Sequence, residues 1–177
     1  AGIRTVTFVD VGSATDALTV AAAFTADLTV NLDSDATGLN TVDATAYTGS
    51  LSVVATGVNM DTRSNVLTGG TGTDTLTVTS SGDDDTIRVD GITLFENINL
   101  TDDGDATADT LTIALSDTSV ADGATLTIDA SGLTTDDATV DLSADTNGNN
   151  VYNGGAGVDT VTLSASDLAD SITTNAG

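Results

Sequence analysis

The chain has no cysteine, no proline, no histidine and no tryptophan, and its three basic residues are all arginine. Without cysteine, no disulfide can hold the fold, whatever the compartment. Without cysteine or histidine the catalytic inventory is nearly empty. Serine, aspartate and glutamate remain, but no base is placed to activate a nucleophile, so a non-enzymatic protein is expected. Without lysine, Lys–Asn isopeptide crosslinks are excluded. Aromatics are 3% of the residues, which argues against a sugar-stacking cleft and leaves Val, Leu, Ile and Ala to build a core. Positive charge is scarce too: 3 Lys+Arg stand against 27 Asp+Glu, a net charge of −24. Nucleic acid and anionic membranes are poor partners for such a surface. No run approaches the roughly 18 apolar residues of a membrane span, so no membrane insertion is expected. No charged segment followed by an apolar one comes after Ala1, so no signal peptide is read. The chain starts and stops within repeat-like sequence, as a processed product or a piece of something longer would.

What the chain does have is glycine, threonine and aspartate in a fixed order. Gly69-Gly70-Thr71-Gly72-Thr73-Asp74-Thr75-Leu76-Thr77 fits the pattern G-G-x-G-x-D-x-U-x, with U apolar, at every fixed position. A second full match is Gly154-Gly155-Ala156-Gly157-Val158-Asp159-Thr160-Val161-Thr162. The glycines permit positive φ and let the chain turn sharply with its carbonyls bared. The aspartate adds a hard carboxylate oxygen. The x-U-x that follows is a short strand with one apolar residue pointing inward. Carbonyls plus a carboxylate suit Ca²⁺, which takes about six to eight oxygen ligands. The competing reading is a glycine-rich turn capped by its aspartate. Two complete matches, each ending in Thr-(Leu/Val)-Thr, favour the calcium loop. Bound cations would also relieve the repulsion at −24, although a haloacidic surface explains the charge as well.

The rest of the chain reads as short strands. Ile3–Val11 alternates, 12–20 looks like a worn nonapeptide, and Asp27–Leu32 has strict period 2. Helix is the rival for 17–27, where alanine is dense, but threonine flanks and missing caps favour strand. Asp33-Ser34-Asp35 is a turn, and strands follow at 41–44 and 51–55. Asn65 stands where a preceding nonapeptide would put its aspartate, with Leu67 at the apolar position. Asn150–Asn153 repeats this before Gly154. Further strands are read at 92–95, 98–100, 111–115, 126–129 and 139–142, with acidic turns at 82–87 and 102–105. After Ser166 the pattern fades.

These pieces repeat. Leu28–Leu32 matches Leu111–Leu115, Thr41–Ala44 matches Thr127–Ala130, and the nonapeptides start at Gly69 and Gly154, all at offsets near 85 residues. The pattern predicts an all-β chain: a parallel β-helix or β-roll-like solenoid with calcium-binding turns, in two modules, 1–81 and 82–177. Two tandem β-sandwich modules are the alternative.

The nonapeptides, with segments such as Leu126–Leu133, resemble the RTX-type surface proteins of Gram-negative bacteria, and most of all their S-layer proteins and large adhesins. By that family's pattern, Gly69, Thr71, Thr73 and Asp74 offer oxygen to Ca²⁺, as do Gly154, Ala156, Val158 and Asp159. A family site is completed by a second nonapeptide one coil on, and no full copy stands beside either motif here. Asp83, Asp84, Asp85 and Asp145, in worn loops, are the candidates for the missing ligands. The resemblance implies an extracellular, cell-surface structural protein that assembles with itself, head to tail, into an S-layer or filament. The alternatives are an adhesin stalk or ligand-binding module, and the secretion domain of a larger RTX protein. Candidate partners are a second copy of the chain and cell-surface polysaccharide. Asp102 and Asp103 are a pair that glycoside chemistry could use, but a solvated or calcium-bound turn is the favoured reading.

Overall fold

Segments in which threonine or asparagine alternates with an aliphatic residue are the building unit. Successive side chains of a strand face opposite ways, and β-branched residues suit a pleated surface. A computed structural model describes residues 4–9, 15–32, 39–61, 65–165 and 170–175. The turn at Asp33–Asp35 and residues 12–14 lie outside the described residues.

The strands of the described residues stack into three sheets. Sheet A holds β1 (Thr5–Thr7), β3 (Leu28–Asn31), β5 (Leu51–Thr56), β7 (Thr75–Thr79), β10 (Asn97–Thr101), β12 (Thr125–Gly132), β14 (Asn149–Asn153) and β16 (Ser171–Thr173), in that order. Sheet B holds β2 (Asp16–Thr19), β4 (Asn40–Asp43), β6 (Val66–Thr68) and β9 (Ile92–Thr93). Sheet C holds β8 (Asp85–Arg88), β11 (Thr110–Ala114), β13 (Asp137–Asp141) and β15 (Thr160–Thr162). Every ladder among the described residues is parallel. The chain is therefore a β-solenoid of about 6 turns, and the sandwich alternative, which needs antiparallel sheets, is excluded.

Register makes the core. Val6, Val30, Val53, Leu76, Ile98, Ile128, Tyr152 and Ile172 are stacked partners along sheet A. From Val30 to Tyr152 this column is almost wholly buried, at 0–1% exposure. Leu18, Val42, Leu67 and Ile92 form the matching column of sheet B. One hydrophobic cluster runs from Phe8 to Tyr152. The point between residues 81 and 82 falls in the turn from β7 to β8, and sheet A continues past it by pairing β7 with β10.

The turns differ in length. Partners in sheet A are 24 residues apart at Thr5 and Thr29, 23 at Thr29 and Ser52, and 22 at Thr75 and Asn97. The spacing widens to 30 at Asn97 and Thr127, then narrows to 20 at Val151 and Ser171. An offset near 85 is thus not a whole number of turns. β3 lies in sheet A and its sequence match β11 in sheet C, while β4 lies in sheet B and its match β12 in sheet A.

Three features depart from the sequence reading. Residues 57–61 form a helical turn, α1 (Gly57–Asp61), which packs on β8 at the first edge of sheet C. The faded tail contains β16, paired to β14. Strand β8 begins at Asp85, inside the turn expected at 82–87. The 17–27 stretch is β2 followed by turns and not a helix.

Candidate metal centres at the solenoid corners

Each nonapeptide turns a corner, but not the same one. Gly69–Asp74 leads from β6 of sheet B into β7 of sheet A. Gly154–Asp159 leads from β14 of sheet A into β15 of sheet C, three strands further along sheet A. The structure does not bring the two motifs together.

Their aspartates make the same two bonds. Asp74 Oδ2 accepts from the Gly70 amide at 2.5 Å, and Oδ1 accepts from the Leu51 amide, one turn back, at 2.8 Å. Asp159 Oδ2 accepts from Gly155 at 2.8 Å, and Oδ1 from Ala138, one turn back, at 3.2 Å. Asp74 is fully enclosed, while Asp159 is half-buried. This is the capping arrangement weighed against the calcium loop: the carboxylate closes its own turn and ties it to the turn before. Around it, the Gly69 amide donates to Thr93 O, Thr71 to Tyr47 O, Gly154 to Thr173 O and Ala156 to Leu133 O. The Val158 amide donates to Asp137 Oδ1 at 2.6 Å. The Asp74 amide donates to Glu96 Oε2 at 2.7 Å, one turn ahead. Thr71, Thr73, Ala156 and Val158 are exposed, and Gly69 and Gly154 are buried.

The motif glycines are required for a different reason from the one expected. Among the described glycines, positive φ occurs at Gly82, Gly104 and Gly123, none of them in a nonapeptide. Instead, a Cβ at Gly70 would collide with the carbonyl oxygen of Tyr47, one at Gly72 with that of Gly49, and one at Gly157 with that of Asp136. Each carbonyl belongs to the preceding turn. The glycines let successive turns approach closely.

The worn loops hold the other expected ligands apart. Asp85 is buried, and both its oxygens accept from the Ser81 hydroxyl, at 2.8 and 2.7 Å. Burial pushes its carboxyl above the usual range, against the pull of those Ser81 bonds. Asp84 Oδ1 accepts from the Thr110 amide at 2.9 Å, and Asp83 is exposed. Asp145 is fully buried and satisfied: it accepts from the amides of Asn147 and Gly148 at 3.3 and 3.1 Å and from Asn150 Nδ2 at 2.7 Å.

The acids converge elsewhere, on residues 102–109. This is the longest of the four connections from sheet A to sheet C. Asp102 reaches across to the next turn, where its Oδ2 accepts from the hydroxyls of Thr134 and Thr135 at 2.7 and 2.8 Å. Those bonds, with one from the Gly104 amide, hold its carboxyl well below the usual range. It is therefore committed to a turn. Beyond it, one carboxylate oxygen from each of Asp103, Asp105 and Asp109 lies within 4.8 Å of the other two. Asp103 and Asp105 are exposed, and Asp109 is buried. Burial raises the Asp109 carboxyl, and the carboxylates of Asp136, Asp105, Asp103 and Asp84 raise it further. Sequence reading placed Asp102–Asp105 in a turn but did not select Asp103, Asp105 or Asp109 as ligands. The Asp103-x-Asp105 spacing was visible, but the burial of Asp109 was not.

No family model, curated protein or solved structure matches the chain. Among the described residues, no helix is long and apolar enough to cross a membrane.

Proposed function

We propose that the chain is an extracellular structural protein, a calcium-stabilised β-solenoid subunit that assembles head to tail with copies of itself into a surface layer or filament. The observation that carries the reading is the state of the outermost turns. Among the described residues, sheet A has β1 and β16 as its outer strands, and each offers one row of backbone N–H and C=O groups for a further parallel strand. Apolar side chains accompany both. At the first turn Val6, Leu18, Val20, Phe24 and Leu28 line an open pocket of about 170 Å³. At the last, Val158, Leu163 and Ile172 are exposed.

Phe8, just after the first strand, is already buried within the chain at 8% exposure, so assembly does not need to cover it. The pocket takes its place as the surface to be covered. Joining the last turn of one copy to the first of another pairs both edges and covers both apolar sets. Such a contact is heterologous and propagates into an open polymer unless it closes into a ring. Calcium enters through charge: at −24, acidic corners repel one another, and a divalent cation neutralises and bridges them.

The test is sedimentation velocity with negative-stain imaging of the purified chain, with and without millimolar Ca²⁺. Polymers in Ca²⁺ that are lost on deleting residues 1–11, which removes β1, support the assembly. An intact chain that stays monomeric at high concentration with Ca²⁺ replaces it with the adhesin-stalk reading. A deletion variant that polymerises like the parent refutes the proposed contact. Identical melting in EDTA and in Ca²⁺ removes the calcium half of the proposal.

A further inference from the structure

The two nonapeptide aspartates spend their oxygens on backbone amides, so the cation invoked above needs a place where carboxylate oxygens are free. Three observations single out one corner. First, Asp103, Asp105 and Asp109 each bring an oxygen within 4.8 Å of the others, no more than twice a Ca²⁺–oxygen bond of about 2.4 Å. Second, Asp109 is 6% exposed, and its Oδ2 is sealed from solvent without a hydrogen-bond partner. A buried carboxylate oxygen lacking a donor is costly unless a cation meets it. Third, the next turn adds Asp136, which is 0% exposed. Its Oδ1 accepts from the Asp109 amide at 3.2 Å, and its Oδ2 is also buried without a partner.

The local bonds leave this corner open for a ligand. Asp103 Oδ1 accepts from the Asp105 amide at 2.9 Å, and Asp105 Oδ1 from the Thr107 amide at 2.6 Å. Their Oδ2 atoms converge over Gly82 of the turn below: a Cβ on Gly82 would lie 3.5 Å from Asp103 Oδ2 and 3.9 Å from Asp105 Oδ2.

We propose that a divalent cation, Ca²⁺, binds to Asp103, Asp105 and Asp109, with Asp136 of the next turn hydrogen-bonded to the Asp109 amide, and so holds the 102–109 connection in place on the solenoid. The donors are all carboxylate oxygen, which selects a hard cation. The irregular 102–109 connection suits the loose oxygen geometry of Ca²⁺, with carbonyls or water completing the shell. This inference rests on the calcium part of the proposed function, but it places the ion outside both nonapeptides.

Calorimetric titration with Ca²⁺ tests it on the full chain, the double variant Asp103→Asn/Asp105→Asn and the double variant Asp74→Asn/Asp159→Asn. Asparagine keeps the Oδ1 acceptors at 103 and 105, and both residues are exposed, so that variant should fold; circular dichroism checks it. The expected result is loss of one ion per chain, or affinity weaker by on the order of tenfold or more, in the 103/105 variant, because affinity tracks ligand charge. The same ion should survive in the 74/159 variant. Unchanged stoichiometry and affinity in a folded 103/105 variant overturn this site and leave the calcium reading standing. A parent chain that takes up no Ca²⁺ at millimolar concentration overturns both.

Discussion

Replacing Asp74 with alanine in calcium-free solution isolates what that carboxylate does for the fold. It is fully enclosed, and two backbone amides, Gly70 and Leu51, point at it from 2.5 and 2.8 Å. Alanine strands both donors where water does not reach. A buried donor left without a partner costs about 1–3 kcal/mol, so the pair amounts to about 2–6 kcal/mol. Removing one buried negative charge from a chain at −24 offsets part of this. Asp159 makes the same two bonds but is half-buried, so water can replace it, and Asp159→Ala should cost less than about 2 kcal/mol. Asp74→Asn should fall between, because it keeps one acceptor but turns an NH₂ toward an amide. Urea unfolding in EDTA, followed by circular dichroism, gives the midpoints and slopes. If Asp74→Ala loses no more than Asp159→Ala, or stays within about 0.5 kcal/mol of the parent, the capping argument is wrong.

Two further outcomes follow from the same geometry. Gly70→Ala sets a methyl against the Tyr47 carbonyl and should cost on the order of 3 kcal/mol. Gly104→Ala has open space around it and a φ of 87°, so it should cost about 1–2 kcal/mol; the reverse order in urea would refute the close-approach account of the motif glycines. In EDTA, calorimetry across pH should find maximal stability near pH ~4, the ordinary carboxylate value. Burial raises Asp85 in the fold, so the folded state holds that proton more tightly, and stability is lost as pH rises from about 4 through the raised value. Hydrogen bonds from Thr45 and Ser143 lower Asp43 and Asp141, so their contribution is present above about pH 4 and is lost as pH falls through the lowered values. A melting temperature that climbs steadily from pH ~4 to neutrality would contradict the Asp85 assignment.

Most strands, though not β8 or β16, were legible because their signal is local. Thr-Leu-Thr-Val and its kin alternate at period 2, and that alternation alone places one face inward at β3, β7, β11 and β13. The worn motif at Asn65 was legible too: its Oδ1 accepts from the Asn40 amide, one turn back, at 3.0 Å, the bond that Asp74 makes to Leu51. The tertiary structure decided everything that depends on which turn lies against which. Turn lengths vary from 20 to 30 residues, so two copies of one motif land on different corners and their ligands do not meet. Glycine is required at 70, 72 and 157 by carbonyls of another turn, which no local pattern contains. Asp109 looks like any acid before a strand, and only the stacking of Asp136 and the 102–105 loop upon it buries the carboxylate and leaves an oxygen without a donor. Period and composition fix strands because those are properties of neighbouring residues. A site assembled from successive turns depends on register, and register is set by how the whole column of side chains packs.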